Sequence, residues 1–497
     1  MLKHYFLKHD KQVHRALEIL PGAFSWSTIL LLLVGGFLIP TFVAYLVILF
    51  YVFWFYKSVN IAFFSVVTYY RMKASQLMDW SEEAKGFPDW KQVHHIIVIV
   101  TYKEPLHILQ RTLDSLALQD FPLKQMTVVL AMEDREDKKQ RDEKIEALKK
   151  AYGKSMGNLF ITVHKLTGNE VVGKASNENY AARWAKQELV DRQKMNIDYL
   201  TITSCDADHV FHPKHFSCLT FKFLDNPNRY RRFWQPAVFF YTNFWRLPAP
   251  NRVVNTFGSI WNGATLARTD RLINCQNYTA SLKMIDEIDY WDPDIIPEDY
   301  HIFFKAFYKL GGHIEVEPIY LPLYADAAEG QGFWPTIKNQ YSQFQRWAWG
   351  VSDDPYVIKN YFLTPGVSFW NKTIRLLRLV EDHFLWPVNW FFITVGMTLP
   401  SLLHPTFSRT VLGYNLPRIA TLILTTCLIF LVIILYIDYK QRPPRPANVA
   451  RWKALLIPLE FVLMPVAGFI FNALPGLDAH TRLMLGKYLE YRVTEKI

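Results

Sequence analysis

Cysteine is scarce in this sequence, and long runs of basic residues are missing. The four cysteines, Cys205, Cys218, Cys275 and Cys427, lack the spacing of a metal site or of a disulfide framework, so we expect reduced thiols in the core. The net charge of +10 is compatible with nucleic acid, anionic lipid or phosphate-bearing substrates. Because no basic run is long enough for a nucleic-acid stripe, we predict no nucleic-acid partner.

Two further absences argue against other classes of protein. No G-x-G-x-x-G follows the first predicted strand, which disfavours a Rossmann dehydrogenase. The long apolar segments carry almost no ionisable residues apart from Glu460 and the segment edges, whereas a transporter or channel needs such residues along its pathway. The length of 497 residues is enough for a large core and for more than one domain.

Apolar residues, in contrast, are abundant. The chain is 51% hydrophobic and 16% aromatic, which suits both lipid-facing belts and sugar-binding clefts. The apolar stretch 24–56 spans roughly 33 residues, whereas one membrane crossing needs about 20. Two glycines and a proline in its middle predict a turn between two helices, at about 24–39 and from about 42 into the 60s. Basic residues on both flanks favour an even number of crossings with both ends in the cytosol.

The C-terminal part of the chain is apolar again. Residues 369–382 are amphipathic and basic, which is typical of an interfacial helix. Phe384–Leu403 and Leu416–Ile437 are predicted crossings. The apolar segment 454–474 is broken by two prolines and either crosses or re-enters the membrane. We favour re-entry, because it keeps the basic tail 475–497 in the cytosol.

Residues 75–345 differ from both flanks, because charged residues return and short apolar runs alternate with amphipathic segments. The predicted strands are His95–Val100, Thr127–Met132, Leu159–Val163 and Tyr199–Thr203. The predicted helices between them are Ile108–Gln119, Arg141–Tyr152 and Asn177–Asp191. This alternation predicts an α/β domain with a mainly parallel sheet.

Polar residues that follow the predicted strands are the candidate site residues, because ligands bind at the carboxyl ends of parallel strands. Tyr102 and Glu104 follow the first strand, and Glu133 and Asp134 follow the second. The second group is compatible with a charge run that opens the next helix. Together with the aromatic residue from the neighbouring strand, it also fits a ribose and base pocket.

A D-x-D pair, Asp206 and Asp208, follows the fourth predicted strand. Adjacent carboxylates repel each other, and a bound divalent cation relieves that repulsion. Their oxygens suit Mg²⁺ or Mn²⁺, and such an ion would bridge to a diphosphate. A lone D-x-D recurs by chance, but its position after an apolar strand favours a metal site.

Two later motifs each allow a structural and a functional interpretation. Glu298 and Asp299, after a proline, fit an ordinary first helical turn, but Asp299 in a cleft would also serve as a general base. Gln343, Arg346 and Trp347 form Q-x-x-R-W. This motif fits an aromatic belt near a membrane. In the functional interpretation, Arg346 grips phosphate oxygens and Trp347 offers a flat wall to a sugar ring.

The combination of motifs resembles the membrane-integrated members of glycosyltransferase family 2, such as cellulose, hyaluronan and chitin synthases. T-Y-K-E-P, D-x-D, E-D and Q-x-x-R-W occur in that order between apolar segments, and the resemblance covers about residues 24–497. It implies a cytosolic GT-A type nucleotide-sugar domain inserted between N- and C-terminal transmembrane helices.

The resemblance also implies roles for individual residues. The implied nucleotide-sugar contacts are Tyr102, Glu104, Glu133, Asp134, Lys174, Asn179 and Asp206. The implied metal ligands are Asp206 and Asp208, the catalytic pair is Glu298 and Asp299 with Asp299 as the base, and Gln343, Arg346 and Trp347 lie beside the diphosphate and the acceptor. The tail from Tyr491 to Lys496 is similar to the F-x-V-T-x-K gating segment of cellulose synthases.

The predicted function is therefore inverting transfer of a sugar from a UDP- or GDP-sugar, with Mg²⁺ or Mn²⁺ as cofactor, to a growing glycan or a membrane-associated acceptor, as in polysaccharide synthesis. The alternative is transfer of a single sugar to a membrane lipid of the ceramide or polyprenyl-phosphate type. We expect a multi-pass protein of the plasma (inner) membrane. The predicted regions are a basic segment and hairpin at 1–74, the GT-A type domain at 75–345, the motif end and interfacial helix at 346–383, a transmembrane or re-entrant region at 384–474, and a basic tail at 475–497.

Overall fold

The computed structural model describes residues 2–156, 158–168 and 170–490. The tail segment from Tyr491 to Lys496 lies outside these residues, so its similarity to a gating segment stays a prediction. All four cysteines are free thiols; Cys205 and Cys218 are buried, as expected, whereas Cys275 and Cys427 are only partly buried.

An eight-stranded sheet forms the centre of the described part of the chain. Its strands are β1 (His94–Thr101), β2 (Met126–Glu133), β3 (Asn158–His164), β4 (Leu200–Asp206), β5 (Val210–Phe211), β6 (Arg232–Phe239), β7 (Tyr278–Ser281) and β8 (Glu315–Tyr324). They follow the order β3-β2-β1-β4-β7-β6-β8-β5. The pairs β3-β2, β2-β1, β1-β4 and β6-β8 are parallel, whereas β7 is antiparallel to both neighbours and β5 to β8. The predicted parallel core is confirmed, and the whole sheet is mixed but mostly parallel, consistent with a GT-A fold.

The apolar strand β1 explains why both faces of this sheet are covered. Alternate side chains of a strand point to opposite faces. Ile96 and Val98 pack into one buried cluster, and Ile97 and Ile99 pack into another on the other side. Both clusters include helical residues, so the sheet lies between two helical layers, as a continuous apolar strand requires.

Helices connect the strands and flank the sheet. The longer ones are α1 (Asp10–Leu38), α2 (Pro40–Leu77), α3 (Leu106–Ala117), α4 (Lys138–Tyr152), α5 (Lys174–Lys186), α6 (His215–Asp225), α7 (Ala249–Leu266), α8 (Glu298–Lys309), α9 (Phe333–Ala348), α10 (Phe369–Leu385), α11 (Val411–Gln441) and α12 (Arg451–Met484). Short helices are Leu2–Lys8, Trp80–Lys85, Leu282–Glu287, Asp354–Leu363, Asn389–Phe391, Leu399–Leu403 and Pro405–Ser408. Both α1 and α12 contain short π-helical stretches.

Within the described residues, four helices (α1, α2, α11 and α12) are long and apolar enough to cross a membrane. The predicted N-terminal hairpin corresponds to α1 and α2, which are longer than expected. Phe384–Leu403, which was predicted to cross the membrane, does not form one continuous helix, because Pro387 and Pro400 lie within it and the segment breaks into short helices. The segment 454–474, for which we favoured re-entry, lies within α12. This helix is long enough to cross a membrane, so its length does not favour re-entry.

The apolar helices pack directly against the α/β domain. Helix α7 lies between β6 and α2. At the end of α11, the buried carboxylate of Asp438 accepts a hydrogen bond of 2.7 Å from the Tyr241 hydroxyl, just beyond β6. The same carboxylate pairs with Arg442. These contacts fix the end of an apolar helix next to the carboxyl end of a central strand, where the candidate site lies.

Candidate active site

A cleft with a cavity volume of about 100 Å³, partly open to solvent, lies at one edge of the sheet. Strands β1, β2, β4, β6 and β8 point in the same direction, so their carboxyl ends meet at this edge. Nine of the predicted site residues line the cleft: Tyr102, Glu104, Glu133, Lys174, Asp206, Asp208, Gln343, Arg346 and Trp347. Asp134, Asn179, Glu298 and Asp299 are not among the described residues that line it.

The end of β4 brings together three side chains that could hold a metal ion. Ligand atoms of Asp206, Asp208 and His209 all lie within 4.8 Å of one another. Asp208 is buried and accepts a hydrogen bond of 2.9 Å from the backbone N–H of Asp326. His209 was missed in the sequence analysis, although it directly follows the D-x-D.

This group of side chains fits a divalent cation. Two carboxylates offer the hard oxygen ligands that Mg²⁺ and Mn²⁺ prefer. An imidazole nitrogen is a softer ligand, so the addition of His209 shifts the preference from Mg²⁺ towards Mn²⁺.

Lys174, the first residue of α5, joins this centre to the start of α8. Its ammonium group lies 2.9 Å from the Asp206 carboxylate and 3.3 Å from Glu298, and it donates a hydrogen bond of 3.2 Å to the carbonyl of Gln276. Burial alone would lower the pKa of Lys174, but Asp206, Glu298 and the nearby Glu178 raise it well above its usual value. The lysine is therefore a permanent cation at the wall of the cleft.

The predicted catalytic pair occupies the first turn of α8, so these acids also satisfy the helix-start interpretation. Burial raises the pKa of Glu298 to about 7, against the opposing effect of Lys174. The Asp299 carboxylate accepts hydrogen bonds from the backbone N–H groups of Gln276 (3.0 Å) and Tyr300 (2.9 Å). Gln276 lines the cleft in a left-handed conformation (φ 62°), and its backbone N–H connects Asp299 to the lining of the cleft.

The predicted nucleoside side of the cleft is formed by the ends of β1 and β2. The guanidinium of Arg135 stacks 4.5 Å above the Tyr102 ring and pairs with the buried Glu133. Asp134 is exposed and lies 3.4 Å from Arg141. At the end of the same acidic run, Asp137 caps α4, so the helix-opening interpretation holds there. The pocket interpretation of Glu133 and Asp134 stays a prediction.

Asn179 lies on α5 outside the cleft lining. Its side-chain amide donates to the carbonyl of Trp291 and accepts a hydrogen bond of 2.9 Å from Arg183. Two residues earlier, the buried Asn177 donates a hydrogen bond of 2.7 Å to the carbonyl of Ala131 in β2. Both asparagines therefore hold α5 in place, and the predicted nucleotide contact of Asn179 stays untested.

The Q-x-x-R-W motif lies on α9 and forms the wall of the cleft opposite the acids. Trp347 packs against Phe240, which follows β6, and against Phe344, with ring centroids 5.6 and 5.0 Å apart. Phe344 belongs to an apolar cluster that includes Phe461 and Phe471 of α12. The tryptophan wall is thus continuous with a helix long and apolar enough to cross a membrane.

Sequence reasoning also missed Asp326, which follows β8. Its buried carboxylate pairs with Arg111 of α3, and its backbone N–H holds Asp208. The signal in the sequence was an apolar run followed by an acid (L-P-L-Y-A-D), the same pattern that identified Asp206. Asp326 lines the cleft beside the candidate metal ligands.

Comparisons with known proteins agree with this geometry. Residues 201–437 match the model of glycosyl transferase family group 2. The match, somewhat less than half of the chain, includes the D-x-D, the E-D and the Q-x-x-R-W, and it supports a family 2-type glycosyltransferase. It does not distinguish the cellulose, hyaluronan and chitin synthases from other members. No curated protein matches the sequence.

Several solved structures are similar at low identity. The mannosyltransferase PcManGT from Pyrobaculum calidifontis, in complex with GDP-Man and Mn²⁺, is 12% identical, with a TM-score of 0.44 over 89% of this chain and 100% of its own. Residues 1–349 of S. aureus TarS, in complex with UDP-GlcNAc, are 14% identical, with a TM-score of 0.38 over 80% of this chain and 93% of theirs. Both TM-scores lie below 0.5, so neither similarity carries an argument about fold or ligand.

Proposed function

We propose that this protein is an inverting, metal-dependent hexosyltransferase that moves a sugar from a UDP- or GDP-sugar to a glycan or lipid acceptor at a membrane. The observation that carries the proposal is the composition of one cleft. It combines a carboxylate and imidazole cluster with two cations, Lys174 and Arg346, and an aromatic wall, Trp347. A nucleotide-sugar needs these features: a metal and cations for the diphosphate, and a flat apolar surface for the sugar.

In this proposal, the donor spans the cleft from the β1 and β2 ends to α9. Tyr102, Glu104 and Glu133 hold the nucleoside, with Asp134 at the rim. Asp206, Asp208 and His209 would hold Mn²⁺ or Mg²⁺, which supplies positive charge to the diphosphate when bound. Arg346 binds the same group from the opposite wall.

The transfer step is a single in-line displacement. Asp299 takes the proton of an acceptor hydroxyl, and the acceptor oxygen forms a bond to C1 of the sugar. The bond between C1 and the phosphate oxygen breaks, and the nucleoside diphosphate leaves with the electron pair. Arg346 stabilises the charge that develops on the leaving group. The backbone N–H of Gln276 binds the Asp299 carboxylate, so the acceptor hydroxyl approaches the base beside Gln276 in this mechanism.

The acceptor side of the proposal depends on Trp347. Its apolar cluster continues into α12, so the Trp347 side of the cleft lies next to apolar helices. We therefore propose a multi-pass protein of the plasma (inner) membrane, with the cleft in the cytosol and a membrane-associated acceptor. A growing polysaccharide is the favoured acceptor, and a single-sugar lipid is the alternative.

The test is product analysis by the purified protein in nanodiscs with native lipid extract and a panel of UDP- and GDP-sugars. We expect a product with inverted anomeric configuration by NMR. A long product supports polysaccharide synthesis, and a lipid with one sugar supports the alternative. An Asp299→Asn variant should bind the donor but lose transfer, and full activity of that variant would exclude Asp299 as the base. A retained configuration would overturn the single-displacement mechanism.

A further inference from the structure

A row of buried amide side chains connects the cleft to α7. The row runs from Asn251 and Asn255 on α7 to Gln340 and then Gln343 on α9, and all four residues are at least 94% buried. Gln340 accepts hydrogen bonds at its Oε1 from Asn255 (2.6 Å) and Asn251 (3.3 Å). Its own amino group donates a hydrogen bond of 3.0 Å to the Oε1 of Gln343. We call these four residues the amide row.

One backbone carbonyl determines the direction of every hydrogen bond in the amide row. The side chain of Asn255 also donates a hydrogen bond of 2.8 Å to the backbone carbonyl of Asn251, and a carbonyl can only accept. The amino group of Asn255 therefore faces Gln340, which must turn its oxygen towards it and its amino group towards Gln343. Gln343 then uses its oxygen within the row, and its amino group is left to face the cleft that it lines.

We propose that Gln340 and Asn255 are positioning residues that hold Gln343 with its N–H donors towards the substrate. This inference rests on the proposed function, in which Gln343 lies beside the diphosphate and the acceptor. An N–H group whose orientation is fixed in advance stabilises an oxyanion without reorganisation, whereas an unheld amide side chain samples both the orientation that presents its N–H groups and the one that presents its oxygen. An amide oxygen turned towards a diphosphate would repel it.

The amide row also links the site to the apolar helices. Helix α7 packs against α2 and α12, and Arg252 on α7 pairs with Glu460 on α12 through a hydrogen bond of 2.8 Å. The packing of these helices thus sets the position of Asn251 and Asn255, and through Gln340 the orientation of Gln343. The cleft therefore depends on α7 being seated among the apolar helices.

The experiment is a double-mutant cycle with Gln340→Met and Gln343→Met in nanodiscs. We expect Gln340→Met to lower kcat about ten-fold and to leave the KM for the nucleotide-sugar within about two-fold of wild type, because the bound nucleotide-sugar loses the oriented hydrogen bond from Gln343. If Gln340 acts through Gln343, the double variant should have the same kcat as Gln343→Met alone. A merely structural role would give effects on kcat that multiply in the double variant.

Gln345→Met is the matched control. Gln345 lies on the same helix and makes one side-chain hydrogen bond, to Asp478 of α12, outside the amide row. Removal of the Gln345 amide in this variant should leave kcat unchanged. Asn255→Asp provides a near-isosteric second variant, since an aspartate cannot donate to Gln340 in the same way, and kcat should again fall while the fold is kept.

The possible results distinguish a failure of the inference from a failure of the proposed function. If wild type transfers the sugar and Gln340→Met keeps the full kcat, the inference alone is overturned. The same holds if wild type transfers the sugar and the effects of Gln340→Met and Gln343→Met on kcat multiply. Wild-type protein that neither binds nor turns over any donor overturns the proposed function and the inference with it. A fall in kcat for the control Gln345→Met that matches Gln340→Met also overturns the inference, because the effect would then belong to α9 as a whole.

Discussion

Replacement of Lys174 by methionine tests the charge balance of the cleft. The Lys174 ammonium is buried and lies within 3.3 Å of both Asp206 and Glu298, with Glu178 also near it. Methionine keeps much of the volume but removes a positive charge that contacts both carboxylates. The Lys174→Met variant therefore leaves the buried carboxylates of Glu298 and Glu178 without the nearby ammonium group of Lys174.

The expected cost follows from this geometry. Breaking a buried ion pair by removal of one partner costs about 3–5 kcal/mol. For a domain of this size, that cost corresponds to a fall of roughly 10 °C in the melting temperature. A second change, Glu298→Gln, removes one of the orphaned charges. The double variant Lys174→Met with Glu298→Gln should therefore recover part of the loss, about half of it.

The pH dependence gives the sign of the effect. Burial already raises the pKa of Glu298 to about 7, and loss of Lys174 raises it further. A carboxyl group whose pKa is raised in the folded state destabilises the protein as the pH rises above the pKa that the group has in the unfolded state. The deficit of Lys174→Met should therefore be larger at pH 8.5 than at pH 6, where the carboxyl group is protonated at lower cost.

The assay is thermal unfolding of purified protein in one detergent, followed by intrinsic tryptophan fluorescence. Wild type, Lys174→Met, Glu298→Gln and the double variant are compared at both pH values and at one heating rate, because such unfolding is often irreversible. A Lys174→Met variant as stable as wild type, or a double variant no more stable than Lys174→Met, would refute the charge-balance argument.

Two further predictions concern contacts outside the cleft. Burial opposes protonation of His301, but Asp353 and Asp292 raise its pKa to about 9, so the stability that protonated His301 contributes is complete below pH 6.5 and is lost as the pH rises through about 9. Between pH 6.5 and 9, the melting temperature should therefore fall less for His301→Gln than for wild type. An equal fall in the melting temperature for both proteins would contradict this prediction. At Gly22, a Cβ would lie 2.6 Å from the Cβ of Met484, so Gly22→Ala should cost about 1–3 kcal/mol by separating α1 from α12. Gly366→Ala, which meets open space, is the control, and equal melting temperatures for the two variants would show that the helices do not pack as described.

The central strands and the D-x-D could be predicted because their signals are local. An uninterrupted run such as residues 95–100 has to be buried on both faces, which fits only a central strand of a parallel sheet. The acids at the ends of β1, β2 and β4 then meet at one edge by topology alone, and most of them do line one cleft. Local periodicity and strand order were sufficient for this part of the site.

The remaining features depend on contacts between residues far apart in the sequence. Asp326 is 118 positions from Asp208, and no pattern around either residue announces the hydrogen bond between them. The left-handed conformation of Gln276, whose backbone N–H binds Asp299, is one that glutamine rarely adopts and that packing imposes. Phe384–Leu403 was predicted as one crossing from hydropathy, but hydropathy does not register the effect of proline on helix continuity.

The most direct test of the central claim is metal-dependent release of nucleoside diphosphate by the purified protein. Wild type and Asp208→Asn are incubated with UDP- and GDP-sugars, native lipid extract and Mn²⁺ or Mg²⁺, and the released diphosphate is quantified. We predict release by wild type that stops when EDTA is added, and release at least 100-fold slower for Asp208→Asn, because a buried ligand of the candidate metal site is lost. Release that is indifferent to EDTA and to Asp208→Asn, or no release and no donor binding by well-folded wild-type protein, would contradict a metal-dependent sugar transfer at this cleft.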